Sequence, residues 1–499
     1  MGVKALLSKL LAAYVHKKHQ RWIENPVEAQ QAVFQKIVSK AQNTQFGRDH
    51  GFSKIKTHAD FVKAVRVRDY EGLSLYFYKM KDGERDVLWP GKPIYLAKTS
   101  GTTSGTKYIP ITKDSISNHI TSARDALLAY IRETGNASFL NGKMIFLSGS
   151  PELDEVAGIK TGRLSGIVNH HVPGYLRTNQ LPSYQTNCIE DWETKLDEII
   201  EETIDQDMTL ISGIPPWVQM YFDKLIRQTG KKVKDIFPNF SLFVYGGVNF
   251  NPYRKKLFES IGKEVDSIET FPASEGFFAY QNSQKDNSLL LLLDTGIFYE
   301  FIPVSEYFDD NPTRLTIGEV EVGVNYALVI SSNAGLWAYS IGDTVKFTSV
   351  KPYKIIVSGR IKHFISAFGE HVIGEEVEKA MNATVGMFPE VELTEFTVAP
   401  YVSQDQGNSY HEWMVEFTRP PLNPGAFADE LDNQLCKLNS YYNDLIIGNI
   451  LQKLKLTQLP RGTFRNYMKS QGKLGGQNKV PRLSNDRKLA EGLLTITNS

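Results

Sequence analysis

The sequence predicts an α/β protein with a large amino-terminal domain over residues 1–358 and a smaller α+β domain over 359–499. Three observations carry this expectation. A chain of 499 residues is too long for one compact core. Helical and extended apolar periodicities alternate along most of it. After VSGRIKHF at 357–364 the pattern restarts with a fresh set of helices and strands. Hydrophobic residues at 41% and charged residues at 22% place the chain among ordinary globular proteins.

The elements follow in order. The first twenty residues read as an amphipathic surface helix, because Lys9 interrupts the apolar stretch and no cleavage site follows. Leu6 also stands where a myristoylation signal has Ser or Thr. Residues 94–97 read as a strand. Ile116, Ile120, Ala123, Leu127 and Ile131 keep helical spacing behind Asp114 and Ser115, which are candidates to cap the first turn. Strands at 144–147, 209–212 and 241–245 alternate with helices at 192–204 and from Trp217. From 296 to 347 the text changes to short strands separated by turn residues, as in FYEFIPV and WAYSIGDTVKF, which predicts a mixed, partly antiparallel sheet. In the smaller domain a helix is expected near 375–381, strands in TEFTVAPY and HEWMVEF, and a helix through Phe427, Leu431, Leu435 and Leu438.

Lys plus Arg equals Asp plus Glu at 56 each, so no global field points to nucleic acid or to an anionic membrane. Cys188 and Cys436 stand alone, outside any zinc or disulfide spacing, and a cytoplasmic location fits them. No apolar run approaches the roughly 20 residues of a membrane span, so no stable membrane anchor is expected. The longest, 289–293, reads as a buried strand.

Chemistry is carried by six polar clusters. TSGTTSGTK at 99–107 joins glycines, hydroxyls and a lysine, as a phosphate loop does; Tyr108 after Lys107 excludes the Walker pattern. YGGVNFNPYRKKL at 245–257 puts Gly246 and Gly247 between a strand and a helix capped by Asn249 or Asn251, where a flat ring can lie on bare backbone. In ETFPASEGFFAY, Glu275 beside Ser274 suits Mg²⁺, which takes one or two carboxylates plus phosphate oxygens. Asp343 in YSIGDTVKF is an acceptor suited to ribose hydroxyls. Arg360 and Lys362 stand at the expected domain joint, and Lys479 in a Gly-rich stretch near the carboxyl end. Each also reads singly as an ordinary turn, solvated acid or surface tail. His170 and His171 read as a polar surface loop.

The order of these clusters resembles the adenylate-forming superfamily of acyl-CoA synthetases, luciferases and adenylation domains. Within it, TSGTTSGTKYIP, GLWAYSIGD and GRIKHFISAFGEHV resemble the Gretchen Hagen three (auxin-responsive promoter) family, whose plant members are acyl acid amido synthetases. The resemblance runs from the helices after Pro26 to Arg482. It implies a large multi-sheet α/β domain of the adenylate-forming type and a small mobile α+β domain that carries a catalytic lysine.

Residue by residue, the resemblance implies a phosphate loop of Ser100, Gly101, Thr102, Thr103, Ser104 and Lys107 and an adenine-side turn of Gly246, Gly247 and Val248. Ser274 and Glu275 would meet the α-phosphate and the metal, Asp343 and Arg360 the ribose, with Lys362 beside Arg360. Lys479, Glu275 and Thr102 make the catalytic set. ATP and Mg²⁺ are the implied cofactors, and an acyl acid and an amine or amino acid the partners, with no nucleic acid. An acyl-CoA ligase and a non-catalytic nucleotide or acyl binder are the other readings. Two departures stand out: Phe271 where the superfamily often has Tyr, and Ala338 and Ser340 in a segment where plant members have an arginine.

Overall fold

The computed structural model describes residues 3–497 apart from 103–104, 173–176, 248–249, 308, 362–363, 366, 369, 371, 404–408, 472–479 and 485. Its internal contacts divide the chain into two compact units. One holds Met1–Thr99, Thr106–Gly247 and Lys255–Ile361; the other holds Lys362–Ser499 with the short segments Ser100–Gly105 and Val248–Arg254.

The larger unit opens with helices α1 (Val3–Glu24) and α2 (Pro26–Ala41), the second started by a proline at its first turn, where the missing N–H costs nothing. Gln30 on α2 is 2% exposed and fully bonded. Its amide donates to Leu293 O at 2.7 Å and Ile297 O at 2.9 Å and accepts from Tyr299 N at 2.9 Å. Strands β1 (Tyr95–Thr102) and β2 (Gly105–Ile111) follow, then α3 (Ile116–Thr134), a helix where one was expected but turned from the expected stripe. It buries Asn118, His119, Ser122, Asp125, Ala126 and Tyr130, whereas of the predicted positions only Ile131 is buried and Ala123 is exposed.

The expected cap of α3 is not made. Ser115 gives no side-chain cap bond, and Asp114 turns to Lys40 at 2.7 Å. Thr112 takes over instead, its hydroxyl accepting from Ser115 N at 3.0 Å and Asp114 N at 3.2 Å. Position decided this: Thr112, two residues before Asp114 and three before Ser115, stands where its hydroxyl faces their amides.

Next come β3 (Lys143–Phe146), β4 (Asp154–Val156), β5 (Ile159–Gly162), β6 (Gln180–Leu181), α4 (Trp192–Thr203), β7 (Met208–Ser212), α5 (Pro215–Thr229), β8 (Leu242–Gly246) and α6 (Asn251–Ile261). Then the chain turns to strands: β9 (Asp266–Ala273), β10 (Gly276–Gln281), β11 (Leu289–Leu291), β12 (Ile297–Pro303), β13 (Asn325–Ser332), β14 (Tyr339–Val350) and β15 (Tyr353–Arg360). Among the described residues they form a four-stranded sheet, β2-β1-β5-β4, and an eleven-stranded sheet, β12-β13-β14-β15-β11-β10-β9-β8-β7-β3-β6.

The large sheet changes character at β9. From β6 to β9 every neighbour is parallel, with helices as crossovers. From β9 to β12 every neighbour is antiparallel. That second half curls on itself: a Cβ built on Gly276 of β10 would stand 2.6 Å from Ile297 Cδ1 of β12, five strands away in the order.

In the smaller unit, β16 (Phe364–Ile365) and β17 (Val372–Ile373) pair ahead of α7 (Gly374–Met387), β18 (Glu392–Tyr401), β19 (Tyr410–Arg419), α8 (Pro424–Leu438) and β20 (Lys455–Leu459). Val377 and Met381 of α7 and Phe427, Leu431 and Leu435 of α8 pack on Phe396, Trp413 and Val415 of the sheet. Asn423 caps α8 by accepting from Ala426 N at 3.1 Å. The sequence reading did not find β20, which runs parallel to β19. A buried pair holds the segment before α7: Glu370 meets His411 Nε2 of β19 at 2.8 Å, and Phe368 N donates to its second oxygen at 2.8 Å.

Candidate active site

Residues 99–107, expected as a loop, are largely strand. β1 continues to Thr102 and β2 begins at Gly105, so the backbone of Ser100, Gly101 and Thr102 is extended ladder. Gly and Ser have poor strand propensity, but neighbouring strands decide it here. Thr103 and Ser104 lie outside the described residues, as do the side chains of Ser100 and Thr102. Lys107 on β2 places its ammonium over the Tyr70 ring, 5.8 Å from the centroid. Tyr108 N donates to the Tyr70 hydroxyl at 3.0 Å.

The glycine turn ends β8 and owes both glycines to local demands. A Cβ on Gly246 would stand 2.4 Å from Thr270 O of β9, and Gly247 has φ +81°. Thr270 fixes this edge by donating its hydroxyl to Tyr245 O at 2.9 Å. Asn251 is the first residue of α6, inside the helix and not its cap; Asn249 and Val248 lie outside the described residues.

Ser274 and Glu275 form the turn between β9 and β10, with Ala273 opposite Gly276. The hairpin is clamped from α3. Asn118, 3% exposed, accepts from Phe277 N at 2.7 Å and donates to Phe277 O at 3.0 Å, where Phe277 lies opposite Pro272 just before a bulge at Phe278. Glu275 is half-buried, and the Tyr339 hydroxyl donates to it at 3.4 Å. Burial first, and the Glu275 charge second, push the Tyr339 phenol well up, so it stays a donor. An aromatic path continues from Tyr339 to Phe77 at 6.5 Å and from Phe77 to Tyr70 at 4.5 Å, which Lys107 overlies. The structure thus connects two predicted clusters, Lys107 and Glu275, through Tyr70 and Tyr339, which the sequence reading missed.

Glu275 fits one magnesium ligand. Among the described residues no group of three or more His, Cys, Asp or Glu is arranged to hold a metal. A cation at Glu275 would therefore draw its other ligands from phosphate oxygens and water, the habit of Mg²⁺. Farther back on β9, six residues before Glu275 and beside Tyr245 of β8, Glu269 is a second acid that sequence did not single out. Burial pushes its carboxyl up to about 7, against a hydrogen bond from Tyr245, its cross-strand partner.

Asp343 on β14 is 5% exposed and pairs in register with Arg360 on β15, so two residues assigned to one ribose are cross-strand neighbours. Gly342, at φ +86°, bends the strand just before the aspartate. The Arg360 side chain, Lys362 and Lys479 lie outside what is described.

The two departures have local explanations. Phe271 packs edge-on to Phe278 at 5.1 Å. Ala338 is fully buried at φ +45°, its N–H given to Ser331 Oγ at 2.9 Å, and Ser340 accepts from the Tyr307 hydroxyl at 2.8 Å, so an arginine at either position would need a rebuilt core. His170 and His171 do not join this group; their Nε2 atoms meet Pro151 O at 2.8 Å and the Tyr95 hydroxyl at 3.0 Å.

A sheet that is parallel on one side and curled antiparallel on the other, with a glycine turn and an acidic hairpin at the seam, is a fold shared with solved ligases and amido synthetases. The structure is similar to the acyl acid amido synthetase AtGH3.15 in complex with 2,4-DB, with a TM-score of 0.61 and 16% identity over 98% of this chain and 96% of that one. It is also similar to 2-hydroxyisobutyryl-CoA ligase in complex with 2-HIB-AMP and CoA, with a TM-score of 0.59 and 13% identity over 94% of this chain and 92% of that one.

The chain belongs to the GH3 family: the family's N-terminal, central and C-terminal domain models match residues 15–180, 290–360 and 375–488. Among curated proteins it is 22% identical to the jasmonoyl–L-amino acid synthetase JAR4 of Nicotiana attenuata, over 91% of this chain and 90% of that one.

Proposed function

We propose that the protein is a ligase that activates a carboxylic acid with ATP and passes the acyl group to an amine, with an amino acid as acceptor. The observation that carries this is full-length similarity to amido synthetases together with an acid, Glu275, fixed on a hairpin at the seam of an adenylate-forming fold.

In the first half-reaction a carboxylate oxygen attacks the α-phosphorus, the bond to the bridging oxygen breaks, and pyrophosphate leaves with the electron pair. Two anions meet, so the site has to offset their charge. In this reading backbone N–H groups and hydroxyls of Ser100, Thr102, Thr103 and Ser104, with Lys107, hold phosphate oxygens, and Gly246, Gly247 and Val248 flank the adenine. Asp343 and Arg360 hold the ribose, and Glu275 with Ser274 faces the α-phosphate. Mg²⁺ bound at Glu275 supplies positive charge against the phosphates. Lys479 donates to the acyl carboxylate and the phosphate. In the second half-reaction the amine attacks the acyl carbonyl, loses a proton, and AMP departs. We place a large domain at 1–358 and a mobile domain at 359–499, turning about Arg360 and Lys362 so that Lys479 vacates the space the amine needs.

A panel of acids in ATP–pyrophosphate exchange, followed by amino acids, simple amines and CoA as acceptors, tests the reading. Amide formation supports it. AMP release with CoA and with no amine selects the acyl-CoA ligase, which the same fold serves elsewhere. ATP binding with no acid-dependent exchange selects the non-catalytic binder. Lys479→Ala is expected to lower exchange by about 10²–10³-fold; undiminished exchange would remove Lys479 from its role.

A further inference from the structure

The first helix carries more apolar surface than its packing uses. Ala5, Ala12, Val15 and Trp22 are buried on its inner face, against α3. The opposite face holds Leu6, Leu7, Leu10, Leu11 and Tyr14, exposed from 39% at Leu11 to 69% at Tyr14. An apolar cluster of this size on an outer helix face needs an explanation.

Charge narrows the occupant. Residues 1–23 contain Lys4, Lys9, Lys17, Lys18 and Arg21 and no carboxylate, in a chain whose totals balance at 56 against 56. Leu7, Leu10, Tyr14, Lys17 and Arg21 follow helical spacing of three and four, so one line along the outer face is apolar in its first half and cationic in its second. Lys4 flanks the apolar half and Lys18 the cationic one. A second copy of this chain seated here would bring a second set of the same cations and no carboxylate from residues 1–23 to meet them. An anionic bilayer surface satisfies both halves: leucines and tyrosine enter the headgroup–acyl boundary while lysines and arginine meet lipid phosphates. No described helix is long and apolar enough to cross a membrane. Residues 6–14 of α1 rise only about 12 Å, the length of an in-plane contact.

We infer that the outer face of α1 docks the protein reversibly on anionic lipid bilayers, with Leu7, Leu10 and Tyr14 inserted and Lys17, Lys18 and Arg21 on the headgroups. The inference is independent of the reaction proposed above, because none of these residues belongs to that site.

Flotation of the full chain with vesicles of phosphatidylcholine alone, and of phosphatidylcholine with phosphatidylglycerol, tests it. Binding is expected only to the anionic vesicles and is expected to weaken with salt. Replacing Lys17, Lys18 and Arg21 together with Gln should lower partitioning by on the order of 100-fold. Leu10→Glu should abolish insertion; Leu7→Gln is the milder second variant, and thermal melting shows that each stays folded. Equal binding to both vesicle types, no binding to either, or variants that float like the parent would overturn the inference. So would sedimentation showing a dimer that Leu10→Glu dissociates, which assigns the face to a second copy.

Discussion

The parallel and antiparallel halves of the large sheet do different work at their seam. The parallel half presents backbone: β8 ends in Gly246 and Gly247, one forced by the approach of Thr270 O, the other by a positive φ. The antiparallel half presents side chains: Glu275 at a tight turn, with Tyr339 behind it. Parallel strands need crossover helices, so their carboxyl ends stay open to a ligand; a curled antiparallel ribbon packs inward and can hold a buried tyrosine against an acid. The difference teaches that shape on one side and charge on the other are set by separate physics.

The largest expected effect breaks the charge side alone. Glu275→Gln should cut acid-dependent pyrophosphate exchange by about 10²–10³-fold with little change in melting temperature, because the carboxamide oxygen can still accept from the Tyr339 hydroxyl. An equal loss of stability would show Glu275 to be structural. Asn118→Ala removes both partners of a buried backbone amide and carbonyl and should destabilise by about 2–4 kcal/mol, read by denaturant unfolding. An effect below about 0.5 kcal/mol would mean the hairpin is held by its own ladder.

Glu269 sharpens the comparison through pH, since it sits on β9, shared by both halves. Folding raises its carboxyl from 4.5 to about 7, so its contribution is full below 4.5 and is lost as pH rises through about 7. The loss reaches about 3 kcal/mol. Glu269→Gln should therefore melt higher than the parent at pH 8 and alike at pH 4. The same difference at both pH values would rule out titration as the cause. The smallest effects separate the two glycines. Gly246→Ala should cost about 1–3 kcal/mol through overpacking and Gly247→Ala about 1 kcal/mol through φ alone. The reverse ranking in thermal melts would show that the turn, not the strand contact, needs glycine.

Much of the fold was legible because periodicity is local. The helical spacing at 116–131 marked α3, Ile116–Thr134, though polar Asn118, His119, Ser122 and Asp125 hid which face is buried, and the change to turn-separated strands after 296 marked the antiparallel ribbon. The strand character of 99–102 was not legible, because Thr-Ser-Gly-Thr takes it from its neighbours. In the candidate site, glycine, acid and hydroxyl clusters are visible as text, whereas the groups that hold them are not. Asn118 looks like any polar residue on an amphipathic helix, and its partner is 159 positions away. Tyr339 looks like one more strand aromatic, and its acid is 64 positions away.

Asn118 has a consequence for how such a site can drift in evolution. Its amide serves Phe277 as a neighbouring strand would, so a helix side chain sets how far the β9–β10 hairpin protrudes. Lengthening that side chain by one methylene, Asn to Gln, would translate the acid at the tip by an ångström or so while leaving every strand residue unchanged. Under the function proposed above, reach toward a larger or smaller phosphate-bound ligand would then be tuned from outside the sheet, by one codon.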